Sequence, residues 1–317
     1  MNQPSTADAS TQPAGPALAD ELITIRDILR HAVSRFRAAD LVHAHGATTA
    51  LDEAAYLILE TLHLPVDQLE PFVDARLTRA ERQALIDLIE QRITTRKPAA
   101  YLTGRTYIQG IPFKVDERVI VPRSYIGEML FSGLFGGDDF TLIDDVQAVT
   151  SVLDLCTGSG CLAILAAHIF PNAQIDAVEL SPDAMAVARE NVAESGFADR
   201  INLFQGDLFA PLKGKTYDLI ITNPPYVDAG TMADLPPEFR AEPEMALAGG
   251  ADGMDVVRRI IADAGKHLKR GGGMICEIGT DREILDEDYP ALDFLWLDSA
   301  ESSGEVFWIT EAQLRKL

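Results

Sequence analysis

Beyond residue 150 the sequence alternates short apolar segments with helical ones, and this alternation constrains the fold more than any other feature. Helices are expected from Cys161, from Pro182 with Ser181 as its cap, and over about 254–268. Apolar strands that alternate with helices predict a parallel sheet covered by helices on both faces. The predicted strands are 151–156, 174–180, 201–207, 217–223 and 272–279, followed by DFLWLD and EVFWIT.

A small helical domain is predicted before this sheet, at residues 20–97. Residues 1–19 are rich in Pro, Ser, Thr and Ala, which predicts a disordered tail. The first helix carries an apolar stripe from Leu22 to Phe36, and Thr78 with Glu81 predicts a capping box at the third. The second is expected to begin near Thr49 and to bury Leu51, Ala55, Ile58 and Leu62. Residues 98–123 predict a β-hairpin linker, after which 124–317 forms the larger domain.

Acidic residues outnumber basic ones, 49 against 27, and the net charge is −22. Such a surface repels phosphate backbones and suits a basic protein partner, although the excess of acid can equally serve solubility alone. The three cysteines give no disulfide framework, and Cys156 and Cys161 lack the spacing of a zinc-ligand pair, so no metal site is expected. No apolar run reaches the ~18–20 residues of a membrane span, and no signal peptide is visible. The sequence therefore predicts a cytoplasmic location without membrane or direct DNA binding.

A glycine-rich loop joins the first predicted strand to its helix, with the sequence Asp154-Leu155-Cys156-Thr157-Gly158-Ser159-Gly160. Glycine permits a tight turn and close approach of a ligand, and N–H groups at a helix start can hold a polar or anionic group. Glu179 ends the next strand, where a carboxylate can accept hydrogen bonds from both hydroxyls of a ribose. Three interpretations remain open here: a nicotinamide dehydrogenase, a methyltransferase, or glycines that only allow close packing.

Asp207 ends the third predicted strand and would lie beside the same crevice. Its carboxylate could accept a hydrogen bond from an adenine amino group there, with Leu208 flanking the ring. An aspartate that caps a turn explains the residue equally well.

The motif Asn223-Pro224-Pro225-Tyr226 follows the fourth predicted strand and is the most specific signal in the chain. Two prolines fix the backbone and remove its donors, which leaves the carbonyls of Asn223 and Pro224 as acceptors beside the Asn223 side-chain oxygen. Tyr226 offers a flat apolar face to a planar group. These acceptors could orient both N–H bonds of an amide and stabilise the positive charge that develops on its nitrogen during methyl transfer. A simple turn after a strand is the alternative.

Over about residues 20–315 the sequence resembles the glutamine-amide protein methyltransferases. The resemblance rests on the glycine loop, on Asn223–Tyr226, and on three further segments: Arg96-Lys97-Pro98-Ala99-Ala100-Tyr101-Leu102-Thr103-Gly104, Glu242-Pro243-Glu244-Met245-Ala246-Leu247 and Gly249-Gly250-Ala251-Asp252-Gly253. It implies an α/β fold in which a small N-terminal helical domain, used for substrate recognition, precedes a seven-stranded Rossmann-like class I methyltransferase domain.

The same resemblance implies S-adenosylmethionine as the cofactor, with S-adenosylhomocysteine as the product. The residues implied to bind it are Asp154, Cys156, Thr157, Gly158, Ser159, Gly160, Glu179, Asp207, Leu208 and Asn223. The residues implied to hold the substrate glutamine and support catalysis are Asn223, Pro224, Pro225 and Tyr226.

The family has two branches, one acting on the GGQ glutamine of peptide release factors and the other on a glutamine of large-subunit ribosomal protein L-three. Val121-Pro122-Arg123-Ser124 and the two cysteines of DLCTGSGC resemble the ribosomal-protein branch. The release-factor branch usually has proline after that arginine and glycine in place of Cys156. Tyr125 stands where the ribosomal branch usually has proline. The expected substrate is therefore the L-three protein, free or in an assembly intermediate. A release factor, a nucleic-acid amino group, or an assembly role without turnover remain as alternatives.

Overall fold

The computed structural model describes residues 17–137, 139–299 and 303–317. These residues form two compact units, of which the first comprises the chain up to Leu41 together with Thr49–Thr95. The second comprises Val42–Thr48 and Arg96–Leu317. Residues 1–16 of the predicted tail lie outside the described residues, and Leu18 already belongs to the first helix.

The first unit is helical, as predicted. Thr49 accepts a hydrogen bond from the Asp52 N–H at the start of the helix Ala50–Thr61, where the second predicted helix is expected to begin. Thr78 and Glu81 form the predicted capping box, in which the Thr78 N–H donates to Glu81 Oε2 over 2.7 Å. Its helices are α1 (Leu18–Glu21), α2 (Ile25–Ala38), α3 (Ala50–Thr61) and α4 (Arg79–Thr95).

The buried face of α3 differs from the predicted one. Ile58 is fully enclosed, as expected, but Leu51, also expected to be buried, is 50% exposed, and Leu57 is enclosed instead. The sequence of α3 is apolar around most of its circumference, so apolar periodicity alone does not define its rotation. Glu53 of α3 faces inward and forms an ion pair with the buried Arg92 of α4. The helix is therefore rotated about its axis so that Glu53 lies on the buried side.

The second unit contains a hairpin and a seven-stranded sheet. The hairpin pairs β1 (Arg105–Ile108) with β2 (Ile111–Lys114) and lies between α5 (Ala99–Thr103) and α6 (Tyr125–Leu130). The remaining elements are β3 (Ser151–Leu155), α7 (Cys161–Ile169), β4 (Gln174–Glu179), α8 (Pro182–Glu194), β5 (Ile201–Gln205), β6 (Tyr217–Thr222), α9 (Ala229–Asp234), α10 (Asp255–His267), β7 (Leu268–Glu277), α11 (Arg282–Asp288), β8 (Leu295–Asp298), β9 (Ser303–Thr310) and α12 (Glu311–Leu314). Two 3₁₀ turns, Pro237–Ala241 and Glu244–Ala246, precede α10.

The strand order is β5-β4-β3-β6-β7-β9-β8, which confirms the expected seven strands. The strands from β5 to β7 are parallel, but β9 runs antiparallel to both β7 and β8. The prediction of a parallel sheet is therefore wrong at this edge, where β9 is antiparallel. The link from Asp298 to Ser303 is too short for a parallel crossover, which needs about a dozen residues.

Helices cover both faces of the sheet, as the alternation predicted. Val152 of β3 packs with Leu162 of α7 on one face, while Leu153 packs with Val257 of α10 on the other. Over the described ranges, none of the helices is both long and apolar enough to cross a membrane.

Candidate functional site

A cavity of about 430 Å³ lies beyond the carboxyl ends of β3, β4, β5 and β6. The chain order reverses between β3 and β6, and ligands of open α/β sheets bind at such a switch point. The cavity brings together residues from each predicted motif, namely Cys156, Thr157, Gly158, Ser159, Glu179, Asp207, Leu208, Asn223, Pro224, Pro225 and Tyr226. Asp154 and Gly160 are not part of this lining.

Asp154 lies beneath the glycine loop, with its side chain fully buried. Its Oδ2 accepts a hydrogen bond from the Ala163 N–H over 2.9 Å and another from the Thr157 hydroxyl. Burial raises the pKa of the Asp154 carboxyl to about 7, against the effect of these two donors. Gly160 caps α7 with a φ of +80°, a left-handed conformation that glycine adopts without strain. Asp154 and Gly160 therefore fix the conformation of the glycine loop without lining the cavity.

Glu179 faces the cavity from the end of β4. Its Oε2 accepts from the Gly158 N–H over 2.9 Å, and its Oε1 accepts from the Ser181 N–H over 2.8 Å. Burial raises the pKa of this carboxyl, and the backbone hydrogen bonds oppose the shift. Each carboxylate oxygen has a further acceptor position, so Glu179 can take up two more donors from a ligand.

Asp207 and Leu208 line the cavity where β5 ends. The Arg259 Nη2 of α10 donates to Asp207 Oδ2 over 2.7 Å, and Arg259 itself lines the cavity. Leu208 and Cys156 have φ values of +46° and +58°. A left-handed backbone costs a residue with a Cβ roughly 1–2 kcal/mol, and such strain concentrates where a loop fits a ligand.

The Asn223–Tyr226 turn is fixed beside the glycine loop. Thr222 donates its hydroxyl to the Leu155 carbonyl over 3.0 Å, which joins the end of β6 to the end of β3. After the turn, the Val227 N–H donates to the Leu247 carbonyl over 2.8 Å. A Cβ on Gly253 would lie 2.3 Å from the Tyr226 carbonyl oxygen, so the glycine-rich segment at 249–253 must pack directly against the turn.

Tyr226 is bound at its hydroxyl end by a glutamate that the sequence analysis did not identify. The Tyr226 hydroxyl donates to Glu277 Oε1 over 3.1 Å, and Ser124 and the Tyr125 N–H donate to Oε2 over 2.7 and 3.0 Å. Glu277 is 1% exposed, and burial raises its pKa to about 7. The available signal was one acidic residue inside the otherwise apolar segment GGMICEIG.

A second ionic cluster holds the segment that carries the 3₁₀ turns. The Arg123 Nη1 and Nη2 donate to the two oxygens of Glu242 over 2.6 and 2.8 Å, and His45 Nε2 lies 3.3 Å from Glu242 Oε2. Burial alone would raise the pKa of Glu242, but the adjacent His45 and the hydrogen bonds from Arg123 lower it to about 2. Phe239 lines the cavity with its ring 4.5 Å from that of His45 and 5.4 Å from the Arg123 guanidinium.

Comparison with known proteins relates this arrangement to one enzyme class. A family model described as methyltransferase small domain matches residues 140–239. The chain is 60% identical to the ribosomal protein uL3 glutamine methyltransferase of Bradyrhizobium diazoefficiens, over 95% of this chain and 96% of that protein. Identity to the protein of the same name from Burkholderia pseudomallei is 54%, over 92% and 95%. A crystal structure of a methyltransferase from Pyrococcus furiosus aligns with a TM-score of 0.47 and 16% identity, over 70% of this chain and 97% of that one.

Proposed function

The chain belongs to the ribosomal protein uL3 glutamine methyltransferase family, and from this premise we propose that it methylates the side-chain amide nitrogen of a glutamine in ribosomal protein uL3. It is a methyltransferase whose methyl donor is S-adenosylmethionine, so the nicotinamide interpretation of the glycine loop is wrong. The observation that carries the proposal is that one cavity contains the glycine loop, Glu179 and the Asn223–Tyr226 turn.

The residues present fit S-adenosylmethionine. The Glu179 carboxylate keeps acceptor positions that suit the two hydroxyls of a ribose, and Leu208 adds an apolar surface suited to adenine. We assign the loop from Cys156 to Ser159 to the methionine portion, and Asp207 to the adenine amino group. Asp154 and Gly160 act indirectly, by fixing the loop that the cofactor contacts. When bound, the cofactor supplies a methyl group activated by a positively charged sulfur.

The Asn223–Tyr226 turn is assigned to the acceptor. An amide nitrogen is a poor nucleophile because its lone pair is delocalised into the carbonyl. If oxygens of Asn223 and Pro224 accept hydrogen bonds from both N–H groups of the amide, they orient its nitrogen lone pair toward the methyl group. They would also stabilise the positive charge that develops as the N–C bond forms and the S–C bond breaks. The nitrogen then loses one proton to solvent, so no strong base is required.

We further assign the unassembled protein as the preferred substrate, either free uL3 or an assembly intermediate in the cytoplasm. A glutamine buried in a finished ribosome would be out of reach of an enzyme of this size. The net charge of −22 suits a basic partner, and proteins that neutralise RNA phosphates are basic. The same charge disfavours direct binding to DNA.

The test is methyl transfer from labelled S-adenosylmethionine to unmethylated uL3, offered free, in assembly intermediates and in mature subunits. We expect labelling of the first two and little of the third. Asn223→Ala should lower the rate by about 100- to 1,000-fold, because it removes an acceptor that acts at the reacting nitrogen. A charge control, Asp199→Asn, changes an exposed carboxylate outside the cavity lining and should retain the rate. Equal labelling of mature subunits would contradict the assembly proposal, and an unlabelled uL3 would contradict the substrate assignment.

A further inference from the structure

We propose that Glu277, as a carboxylate, is a positioning residue that fixes Tyr226 at the wall of the acceptor site and ties it to the start of α6. This inference rests on the proposed function, because it takes the acceptor amide to lie against Tyr226. Glu277 is not itself expected to contact the cofactor or the acceptor. It acts through the tyrosine.

Glu277 joins three separate parts of the second unit. It ends β7, it accepts from the Tyr226 hydroxyl in the turn after β6, and it accepts from Ser124 and the Tyr125 N–H where α6 begins. On another side of the tyrosine, a Cβ on Gly279 would come within 3.0 Å of the Tyr226 ring carbons. The ring is therefore confined at one side by Gly279 and held at its hydroxyl by Glu277.

The pattern of donors fits the carboxylate form. Oε2 receives two hydrogen bonds, and one of them comes from the Tyr125 backbone N–H, which can only donate. Oε1 receives the Tyr226 hydroxyl. Protonation would turn one of these oxygens into a donor and would break or reverse one of the three bonds. Loss of the Tyr226 bond would free the ring, and a reacting group misplaced by about 1 Å can lose about 100-fold in rate.

The Tyr125 N–H allows this arrangement to be altered without removing Glu277 or Tyr226. Tyr125 is the first residue of α6, and Ser124 is its cap. Proline is favoured at the first helical position because the N–H there has no partner within the helix. Tyr125→Pro should therefore preserve α6 and delete one donor to Glu277. Tyr125→Ala is the matched control, since both variants lose the side chain but only one loses the N–H.

Other charged and titratable groups surround the pair. Glu305 of β9 raises the pKa of Glu277, whereas Ser124, Tyr226 and the Tyr125 N–H lower it. Arg123 lies close enough to Tyr226 to favour the ionised phenol, yet burial keeps the pKa of Tyr226 well above its ordinary value. Burial raises the pKa of Glu277 to about 7, so this carboxyl titrates near neutral pH.

The experiment measures kcat and KM for uL3 against pH, together with the dissociation constant for S-adenosylmethionine and the melting temperature. Wild-type kcat should fall as the pH drops through about 7, where Glu277 becomes protonated. At saturating cofactor, Glu277→Gln should lower kcat by about 10- to 100-fold and abolish this acidic limb, with cofactor affinity retained. Asp154 also has a pKa of about 7, but it lies beneath the glycine loop, so its protonation should change cofactor affinity instead. In Tyr125→Pro the limb should move to higher pH than in Tyr125→Ala, because the carboxylate has lost a stabilising donor.

A Glu277→Gln protein with wild-type kcat and pH profile would overturn the inference. Loss of cofactor affinity and melting temperature in parallel with kcat would also overturn it, since Glu277 would then be merely structural. If the wild-type protein methylates no uL3, the proposed function fails separately. In that case the hydrogen bond between Tyr226 and Glu277 is tested by NMR titration of the Glu277 carboxyl carbon. A higher Glu277 pKa in Tyr226→Phe than in wild type supports the inference, and an unchanged pKa overturns it.

Discussion

Gly158 donates its backbone N–H to Glu179 Oε2 over 2.9 Å, so the loop after β3 and the carboxylate at the end of β4 form one hydrogen-bonded unit. The Ser181 N–H holds the other oxygen over 2.8 Å. The carboxylate is thus oriented from both sides before a ligand arrives, and less ordering is needed on binding. The pair connects the shape of the glycine loop to the group proposed to bind the ribose.

Replacement of Glu179 should weaken cofactor binding. Glu179→Ala removes the acceptor of the ribose hydroxyls and releases the Gly158 N–H from its partner. Hydrogen bonds to a charged group contribute about 1.5–3 kcal/mol each, so affinity for S-adenosylmethionine should fall about 10- to 100-fold. Titration calorimetry measures this, with Asp199→Asn as the control for loss of charge. An unchanged dissociation constant for Glu179→Ala would remove the residue from the proposed site.

The role of Asp207 can be tested by changing the cofactor instead of the protein alone. S-inosylhomocysteine lacks the adenine amino group, so the wild-type protein should bind it about tenfold more weakly than S-adenosylhomocysteine. Asp207→Ala should bind both molecules with similar affinity. The competing partner is Arg259, which donates to Asp207 over 2.7 Å. If Asp207→Ala still prefers the molecule with the amino group, the Asp207 carboxylate pairs with Arg259 and does not bind adenine.

The Glu242 cluster should make stability depend on acid pH. Glu242 has a folded-state pKa of about 2 against an ordinary value of 4.5, so its ionised form stabilises the fold above pH 4.5. This contribution is lost as pH falls from about 4.5 through about 2, and a shift of this size corresponds to about 3 kcal/mol. Denaturant unfolding of wild type and Glu242→Gln should therefore show a difference at pH 7 that narrows at pH 3. A difference independent of pH would contradict this assignment.

The buried ion pair in the first unit should matter more than an exposed one. Glu53 pairs with Arg92, and both side chains are almost completely enclosed. Glu53→Gln leaves the guanidinium without its counter-charge, which should destabilise the protein by about 3–5 kcal/mol in denaturant unfolding. Asp74→Asn, which breaks the exposed pair with Arg26, should have little effect. Similar changes in the free energy of unfolding for the two variants would show that burial does not determine how much the Glu53–Arg92 pair contributes to stability.

The parts of the candidate site that depend on local motifs could be predicted from the sequence. The glycine loop, Glu179 and Asn223–Tyr226 follow strands that could be recognised from their apolar runs, and parallel strands bring their carboxyl ends to one edge. Glu277 and His45 were missed for the opposite reason. Their partners lie far away along the chain, and no spacing rule connects Glu277 to Ser124 or His45 to Glu242.

The two errors in the fold have the same origin. Whether β9 joins the sheet parallel or antiparallel depends on the short link from β8, while its composition is that of any buried strand. The rotation of α3 depends on Arg92 of α4, which periodicity within α3 does not encode. The local sequence pattern therefore predicted which helices and strands form. Contacts between these elements determined the direction of β9 and the buried face of α3.

The most direct measurement is fragment mass spectrometry of unmethylated ribosomal protein uL3 and of a peptide release factor after incubation with this protein and S-adenosylmethionine. We predict one added methyl group on a glutamine side chain of uL3, released as methylamine on acid hydrolysis, and no methyl group on the release factor. A methyl group on the release-factor glutamine alone, or on uL3 at a residue other than glutamine, would contradict this prediction.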